Sequence, residues 1–493
     1  MKEYGELRTL LGAIDDLHRA AQVLEWDQET YMPGGAVAAR IRQVATLRKL
    51  AHEQFTDDRV GVLLDRLAGL DLNEWGADLV AVTRRDYDRA RRIPPHLIRD
   101  LALASGQARE AWRMARSTND FQRFAPYLER ILALTIEKAE ALGYAVCRYD
   151  ALLDEYEPGM RTSVVQSLFA SLRRDLVPIV QAIARCDRPD TTFLRQAFDS
   201  EVQWAFGMDV LRKLGYDLMR GRQDVSAHPF STSFSIDDVR ITTRLHERSL
   251  PSALFSTMHE AGHALYEQGI DAALENTPLA EGASLGLHES QSRLWENLVG
   301  RSRSFWEYWY PDLRERFRDQ LGVVSLDAFY RAVNCVTPAA IRVEADEVTY
   351  NLHIMLRFDL EQAMVDQQVA VQDLPALWNA KMEEYLGVRP GSDTEGVLQD
   401  IHWALGAIGY FPTYALGNLM SAQIFACARA ALPDLDHSMA RGDYTDLLAW
   451  LRTGIYRFGR SRSAAALIGE QLSAAPWLAY VRRKYEALYP LQS

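Results

Sequence analysis

SLPSALFSTMHEAGHAL, running from Ser249 to Leu265, is the stretch on which the reading of this chain turns. Ser249 and Pro251 supply a helix start, because proline's fixed φ suits the first turn and its missing N–H is not needed there. Leu254, Phe255, Met258, Ala261 and Leu265 supply the apolar positions at helical spacing. Residues four apart on such a helix share one face, roughly 6 Å apart along the axis. His259 and His263 have that spacing, so one zinc-like divalent ion can take both imidazoles. Glu260 projects beside the same position and is placed to accept a proton from an attacking water. With 11 histidines in 493 residues, the pattern arises by chance roughly one or two times in a hundred.

A catalytic centre of this kind needs a third protein ligand and an open position. The next chemistry-bearing stretch is SLGLHESQSRLWE, Ser284 to Glu296. Leu287, Leu294 and Leu298 give it an apolar helical stripe, and Gly300 fits its stop. Glu289 follows His263 after a gap long enough for a turn and a second helix packed across the first, and it is the expected third ligand. Glu296 is the competing acid; taken alone it reads as a solvated helix-surface residue. Five histidines (His228, His246, His259, His263 and His288) fall in this one region. Just before it, Phe230–Ile236 and Val239–Thr243 alternate apolar and polar residues around Asp237-Asp238, which predicts a short β-hairpin.

Elsewhere the pattern is helical. Leu7, Leu10, Leu11, Ile14, Leu17 and Ala21 recur at helical spacing, as do residues 164–186, 360–371 and 444–456. Pro33, Pro94-Pro95, Pro158 and Pro189 mark breaks between helices. No repeat, low-complexity stretch or long Gly/Ser linker divides the chain. The expectation is one large, mainly α domain over residues 1–493, with room for two lobes. The composition, 48% hydrophobic and 25% charged, excludes a disordered or disulfide-dense chain. A net charge of -12 disfavours nucleic acid as the main partner. Acidic residues interrupt the N-terminal stretch too early for a signal-peptide core. No apolar run approaches the ~18 residues of a membrane span. Cys147, Cys186, Cys335 and Cys427 stand far apart, which suits a reducing, cytoplasmic setting.

Ordered motifs extend over nearly the whole chain. They are His228-Pro229-Phe230, Asp238-x-Arg240-x-Thr242, His259-Glu260-x-x-His263, His288-Glu289-Ser290-Gln291, Ile341-Arg342-x-x-Ala345-Asp346 and Gly396-x-x-Gln399-Asp400-x-His402-Trp403. Two further stretches, Leu24–Pro33 and Tyr149–Gly159, belong with them. In this set the chain resembles the carboxypeptidase Taq family of metallocarboxypeptidases. The resemblance implies a mainly helical, clam- or saddle-like fold with a deep groove and a small β-hairpin beside the active site. It implies a cytosolic homodimer that uses one zinc or cobalt ion per subunit and removes single residues from the free C-termini of peptides. His259, His263 and Glu289 would hold the metal, with Glu260 as general base.

Two roles remain within that resemblance. The oxyanion of the tetrahedral intermediate wants a donor, for which His402 and Tyr410 are the candidates, with Tyr414 weaker. The substrate's α-carboxylate wants an arginine fork, for which Arg342 and Arg240 are the candidates. Either arginine has an alternative in pairing with a structural carboxylate such as Asp346 or Asp238. His228 contacts substrate or sets the hairpin, and Asp346 is a candidate acceptor for a ligand imidazole. The alternatives are an oligopeptidase or dipeptidyl carboxypeptidase with the same metal site, and a non-catalytic peptide-binding scaffold.

Overall fold

In the computed structural model, which describes residues 2–72, 75–469 and 471–490, helices carry most of the chain. It divides into two compact units, each assembled from three stretches. Unit 1 comprises Met1–Arg91, Asp190–Val333 and Ile424–Gln471; unit 2 comprises Arg92–Pro189, Asn334–Gln423 and Leu472–Ser493.

Unit 1 opens on the helix Lys2–Thr30, which buries Leu7, Leu11 and Ile14. This face packs with Leu63, Leu64 and Leu274 in one apolar cluster. The helix ends three residues before Pro33, in keeping with the break read from the sequence. Not every proline is a break: Pro178 lies inside Thr162–Ala184 and Pro311 inside Arg303–Arg316. The run expected to be helical over residues 360–371 stops at Val365, and Gln367 takes a left-handed φ of 57°. A helix cannot propagate through that conformation.

The predicted hairpin is present. Strand β2 (Ser231–Ser235) pairs antiparallel with β3 (Asp238–Thr243), with an irregularity in register between Ser233 and Ser235. A third strand, β1 (Gln223–Val225), runs parallel to β3 and makes it the central strand. Three residues are too few for a period-two signal, so β1 leaves no trace in the sequence pattern. The sheet is tied to the helix Leu250–Glu267 through hydroxyls. Thr243 Oγ1 donates to Ala253 O at 3.2 Å, and Thr257 Oγ1 donates to Thr243 Oγ1 at 3.0 Å.

Unit 2 is built around the helix Tyr350–Val365, whose residues are buried almost throughout, including His353, Arg357 and Glu361. Among the described residues, no helix is long and apolar enough to cross a membrane.

Candidate metal centre and its neighbours

The helix Leu250–Glu267 starts with Pro251 in its first turn and buries Met258, Ala261, Ala264 and Leu265 completely. Against it lies the helix Leu285–Arg293, capped by Ser284, whose Oγ accepts from Leu287 N at 3.0 Å. Gly262 permits this approach. A Cβ at that position would fall 2.4 Å from Gln291 O and 2.6 Å from Ser292 Cα. The glycine between the two histidines thus lets the second helix close enough to bring Glu289 opposite them.

The ligand atoms of His259, His263 and Glu289 lie within 4.8 Å of one another. His259 Nε2 is 3.6 Å, and His263 Nε2 3.5 Å, from the same carboxylate oxygen, Glu289 Oε2. Each Nδ1 is engaged elsewhere. His259 Nδ1 meets Glu296 Oε2 at 2.9 Å, and His263 Nδ1 meets His288 Nδ1 at 2.6 Å. Both Nε2 atoms therefore converge on one oxygen. Two imidazoles and a carboxylate are a donor set suited to a divalent ion of zinc type. The residues fit the metal that the motif implies.

The electrostatics follow from burial and pairing. Burial opposes ionisation of Glu289, but Arg293 and His259 outweigh it and hold the carboxyl well below the usual carboxylate range. Arg293 Nε donates to Glu289 Oε1 at 2.8 Å. Burial likewise opposes charge on His259, yet Glu289 and the hydrogen bond to Glu296 raise its pKa. Burial and then His288 push His263 down to about 3. Burial, only partly offset by His259, pushes the Glu260 carboxyl up to about 7.

Several expectations change here. Glu296 is not a solvated surface acid. Its side chain is only 12% exposed, receives Arg293 Nη1 at 3.2 Å and meets His259 Nδ1, the ring nitrogen that faces away from Glu289. Asp346 does not serve a ligand imidazole. It lies in unit 2, where Thr337 N, Val348 N, Thr349 N and Thr349 Oγ1 donate to it, because it caps the turn that leads into Tyr350–Val365. Glu296 and His288 meet the imidazoles instead. Sequence reasoning missed Arg293, although Glu289, Arg293 and Glu296 show it at i, i+4 and i+7 on one helical face.

In unit 1 strand β3 carries the DxRxT residues, and the HPF residues lie in the loop just before β2. Arg240 forks onto Asp238, with Nε and Nη2 each donating at 2.8 Å, and stacks over Trp26 with 4.5 Å to the ring centroid. His228 is exposed, and its carbonyl accepts from Ser226 Oγ at 2.7 Å within the loop before β2.

Unit 2 gathers the other candidates. Arg342 does not pair with Asp346. Its Nε and Nη2 donate to Asp400 Oδ1 at 3.1 and 2.8 Å, and its Nη1 donates to Tyr350 OH at 2.9 Å. Arg357, fully buried, donates to the other oxygen of Asp400, with Nε at 2.7 Å. Burial opposes charge on Asp400, but Arg357 and Arg342 hold its carboxyl far below the ordinary range. Two guanidiniums against one carboxylate leave this trio with one positive charge in excess. His402 Nε2 lies 3.3 Å from Tyr414 OH, and the His402 and Tyr410 rings are 5.5 Å apart. Burial, opposed by Asp400, brings the His402 pKa down to about 4, so the ring is neutral near pH 7. The loop that holds His402 and Tyr410 is pinned by Glu361, which accepts from Trp403 Nε1 at 2.9 Å and Gly409 N at 3.0 Å.

Comparison with known proteins follows the same lines. The profile of the carboxypeptidase Taq (M32) metallopeptidase family matches residues 6–485. Thermostable carboxypeptidase 1 of Thermus thermophilus is 46% identical over 483 residues, 94% of each chain. Carboxypeptidase 1 of Bacillus subtilis is 39% identical, covering 99% of this chain and 98% of its own. The crystal structure of the M32 carboxypeptidase from Deinococcus radiodurans superposes with a TM-score of 0.98 at 45% identity, covering 99% of this chain and 100% of that one.

Proposed function

The chain belongs to the carboxypeptidase Taq (M32) metallopeptidase family, and from that premise we propose that it is a metal-dependent carboxypeptidase that removes single amino acids from the free C-termini of peptides. One observation carries the reading: the His259 and His263 Nε2 atoms converge on one oxygen of Glu289, next to a buried Glu260.

When bound, the divalent ion supplies Lewis acidity that polarises the scissile carbonyl and acidifies a water. The chain's own groups do the rest. His259, His263 and Glu289 hold the ion. Glu260, buried beside the two histidines, is placed to act as a proton acceptor and then as a donor to the leaving amine. Arg342 is the proposed anchor for the substrate α-carboxylate, supported by its place in a family motif and by the positive excess of the Arg342–Asp400–Arg357 trio. His402 and Tyr410, with Tyr414 behind them, are the proposed donors to the developing oxyanion. Arg240 is assigned to holding the sheet. Zinc or cobalt as the ion, a homodimer and a cytoplasmic setting complete the proposal. They rest on the family resemblance and, for the last, on four free cysteines.

Mass spectrometry of a defined peptide, incubated with the metal-loaded protein, tests this reading. A ladder that loses one C-terminal residue per step, abolished by a chelator and restored by zinc or cobalt, is the expected result. Internal cuts or released dipeptides would point to an oligopeptidase or dipeptidyl carboxypeptidase. An uncut peptide would point to a binding scaffold.

A further inference from the structure

His263 differs from His259 in what stands behind it. Glu296 meets His259 directly, whereas a second imidazole, His288, stands between His263 and a carboxylate. His288 Nδ1 lies 2.6 Å from His263 Nδ1, and His288 Nε2 lies 2.7 Å from Glu267 Oε1. The two rings are inclined by only 25° with centroids 4.5 Å apart, so they are nearly parallel. Glu267 sits one turn beyond His263 on the same helix, and His288 adjoins Glu289 on the other helix.

The contacts fix the protons. A carboxylate oxygen accepts, so the Glu267 contact calls for N–H at His288 Nε2. A neutral imidazole has one N–H, so His288 Nδ1 then offers a lone pair. The 2.6 Å contact in turn needs N–H at His263 Nδ1. A neutral His263 protonated there has its lone pair on Nε2, the atom that faces Glu289. The opposite orientation would put a proton on that Nε2 and remove it as a ligand.

We propose that Glu267 and His288 are a positioning pair that fixes His263 as the Nε2-ligating tautomer and couples the two ligand-bearing helices. The inference rests on the metal-ligand reading above and deepens it. The pair is built tightly. A Cβ on Gly282 would fall 2.8 Å from His288 Cδ2 and 3.1 Å from Tyr266 Cε1, so glycine leaves room for the ring. Loss of a partner behind a ligating histidine costs about tenfold to a hundredfold in metal affinity.

The test is zinc affinity, measured by chelator competition at one fixed pH on the full-length protein. Circular dichroism of each metal-free variant checks the fold. His288→Leu removes the acceptor and should weaken zinc binding by about tenfold to a hundredfold. His288→Asn places an amide oxygen where Nδ1 stood, can still accept from His263, and should recover most of that loss. Glu267→Ala should weaken zinc binding in the wild-type background but add nothing to His288→Asn, where the link to Glu267 is already cut. The proposal is overturned if His288→Leu binds zinc within about twofold of wild type, if Asn is no better than Leu, or if Glu267→Ala costs the same in both backgrounds. Wild type and His259→Ala separate this from the reading beneath it. Wild type binding no zinc, or His259→Ala binding it as tightly, overturns the metal site itself. A normal site insensitive to position 288 overturns only the relay.

Discussion

Glu361 should make this protein less stable as pH rises from about 4.5 to about 7. Its side chain is fully buried and accepts from Tyr149 OH at 2.6 Å, Trp403 Nε1 at 2.9 Å and Gly409 N at 3.0 Å. Burial pushes its pKa from 4.5 up to about 7, and the hydrogen bonds offset only part of that rise. The unfolded chain releases the proton near 4.5, while the native state keeps it until about 7. In that window the native state binds more protons than the unfolded state, so the stabilisation present below the unfolded pKa is lost as pH climbs. At about 1.4 kcal/mol per unit, the shift corresponds to about 3 kcal/mol across the window. Glu361→Gln cannot titrate but keeps a carbonyl acceptor for the loop. Urea unfolding of wild type and variant, repeated at steps of pH, isolates the effect as a difference curve. The variant should gain on wild type by about 3 kcal/mol from the acid to the neutral end. Parallel curves would refute the argument, because they would mean the native carboxyl ionises as easily as the unfolded one.

His402 should act in the opposite sense: burial brings its pKa from 6.5 to about 4, so stability is lost as pH falls through that range, and His402→Asn should flatten the acid side of the same unfolding curves. Glu260→Gln should retain zinc by elemental analysis yet lose several orders of magnitude in kcat, since only the proton acceptor is gone; near-normal turnover would remove Glu260 from the chemistry. Glu289→Ala should lose zinc on dialysis, and unchanged zinc content would reassign the third ligand. Arg342→Ala should keep its metal but lose about tenfold to a hundredfold of its preference for a free over an amidated C-terminus, the worth of a charge-assisted contact to a carboxylate. Arg240→Ala should leave that ratio alone, and the reverse result would exchange the two arginines.

The His259–His263–Glu289 cluster was legible because helical period alone puts His259 and His263 on one face, and because the next helical segment in the chain carries an acid. The partners behind them were only half visible. Glu267 continues the i, i+4 series from His259 and His263, but nothing in that spacing says that His288 stands between. Asp346 failed as an imidazole acceptor because three backbone amides and a hydroxyl use its oxygens, a turn-capping role that an Asp before a helix often takes. The Arg342–Asp400 pair spans 58 residues, and only tertiary folding joins them. The nearer Asp346 was the natural guess because sequence reports local geometry and is silent about long-range pairs. Strand β1 was missed for its length, and the end of the 350–365 helix was overrun because apolar spacing continues past the turn at Gln367.

The arrangement around Glu289 also explains how a buried acid stays ionised. Carboxylates stripped of water are costly unless paired. Here Arg293 lies between two of them, donating to Glu289 Oε1 at 2.8 Å and to Glu296 Oε2 at 3.2 Å, while Arg301 lies 3.4 Å from Glu296 Oε1. The guanidinium therefore does more than neutralise. Arg293 holds Oε1, and Oε2 is the oxygen that faces the two imidazoles; an acid offering one oxygen would suit a metal centre with an open position. The backbone cooperates. Immediately after Arg293 the helix widens into a π-helical stretch, Leu294–Val299. Such stretches are rare and occur frequently at functional sites. The acid within this one, Glu296, is the group that reaches back to His259.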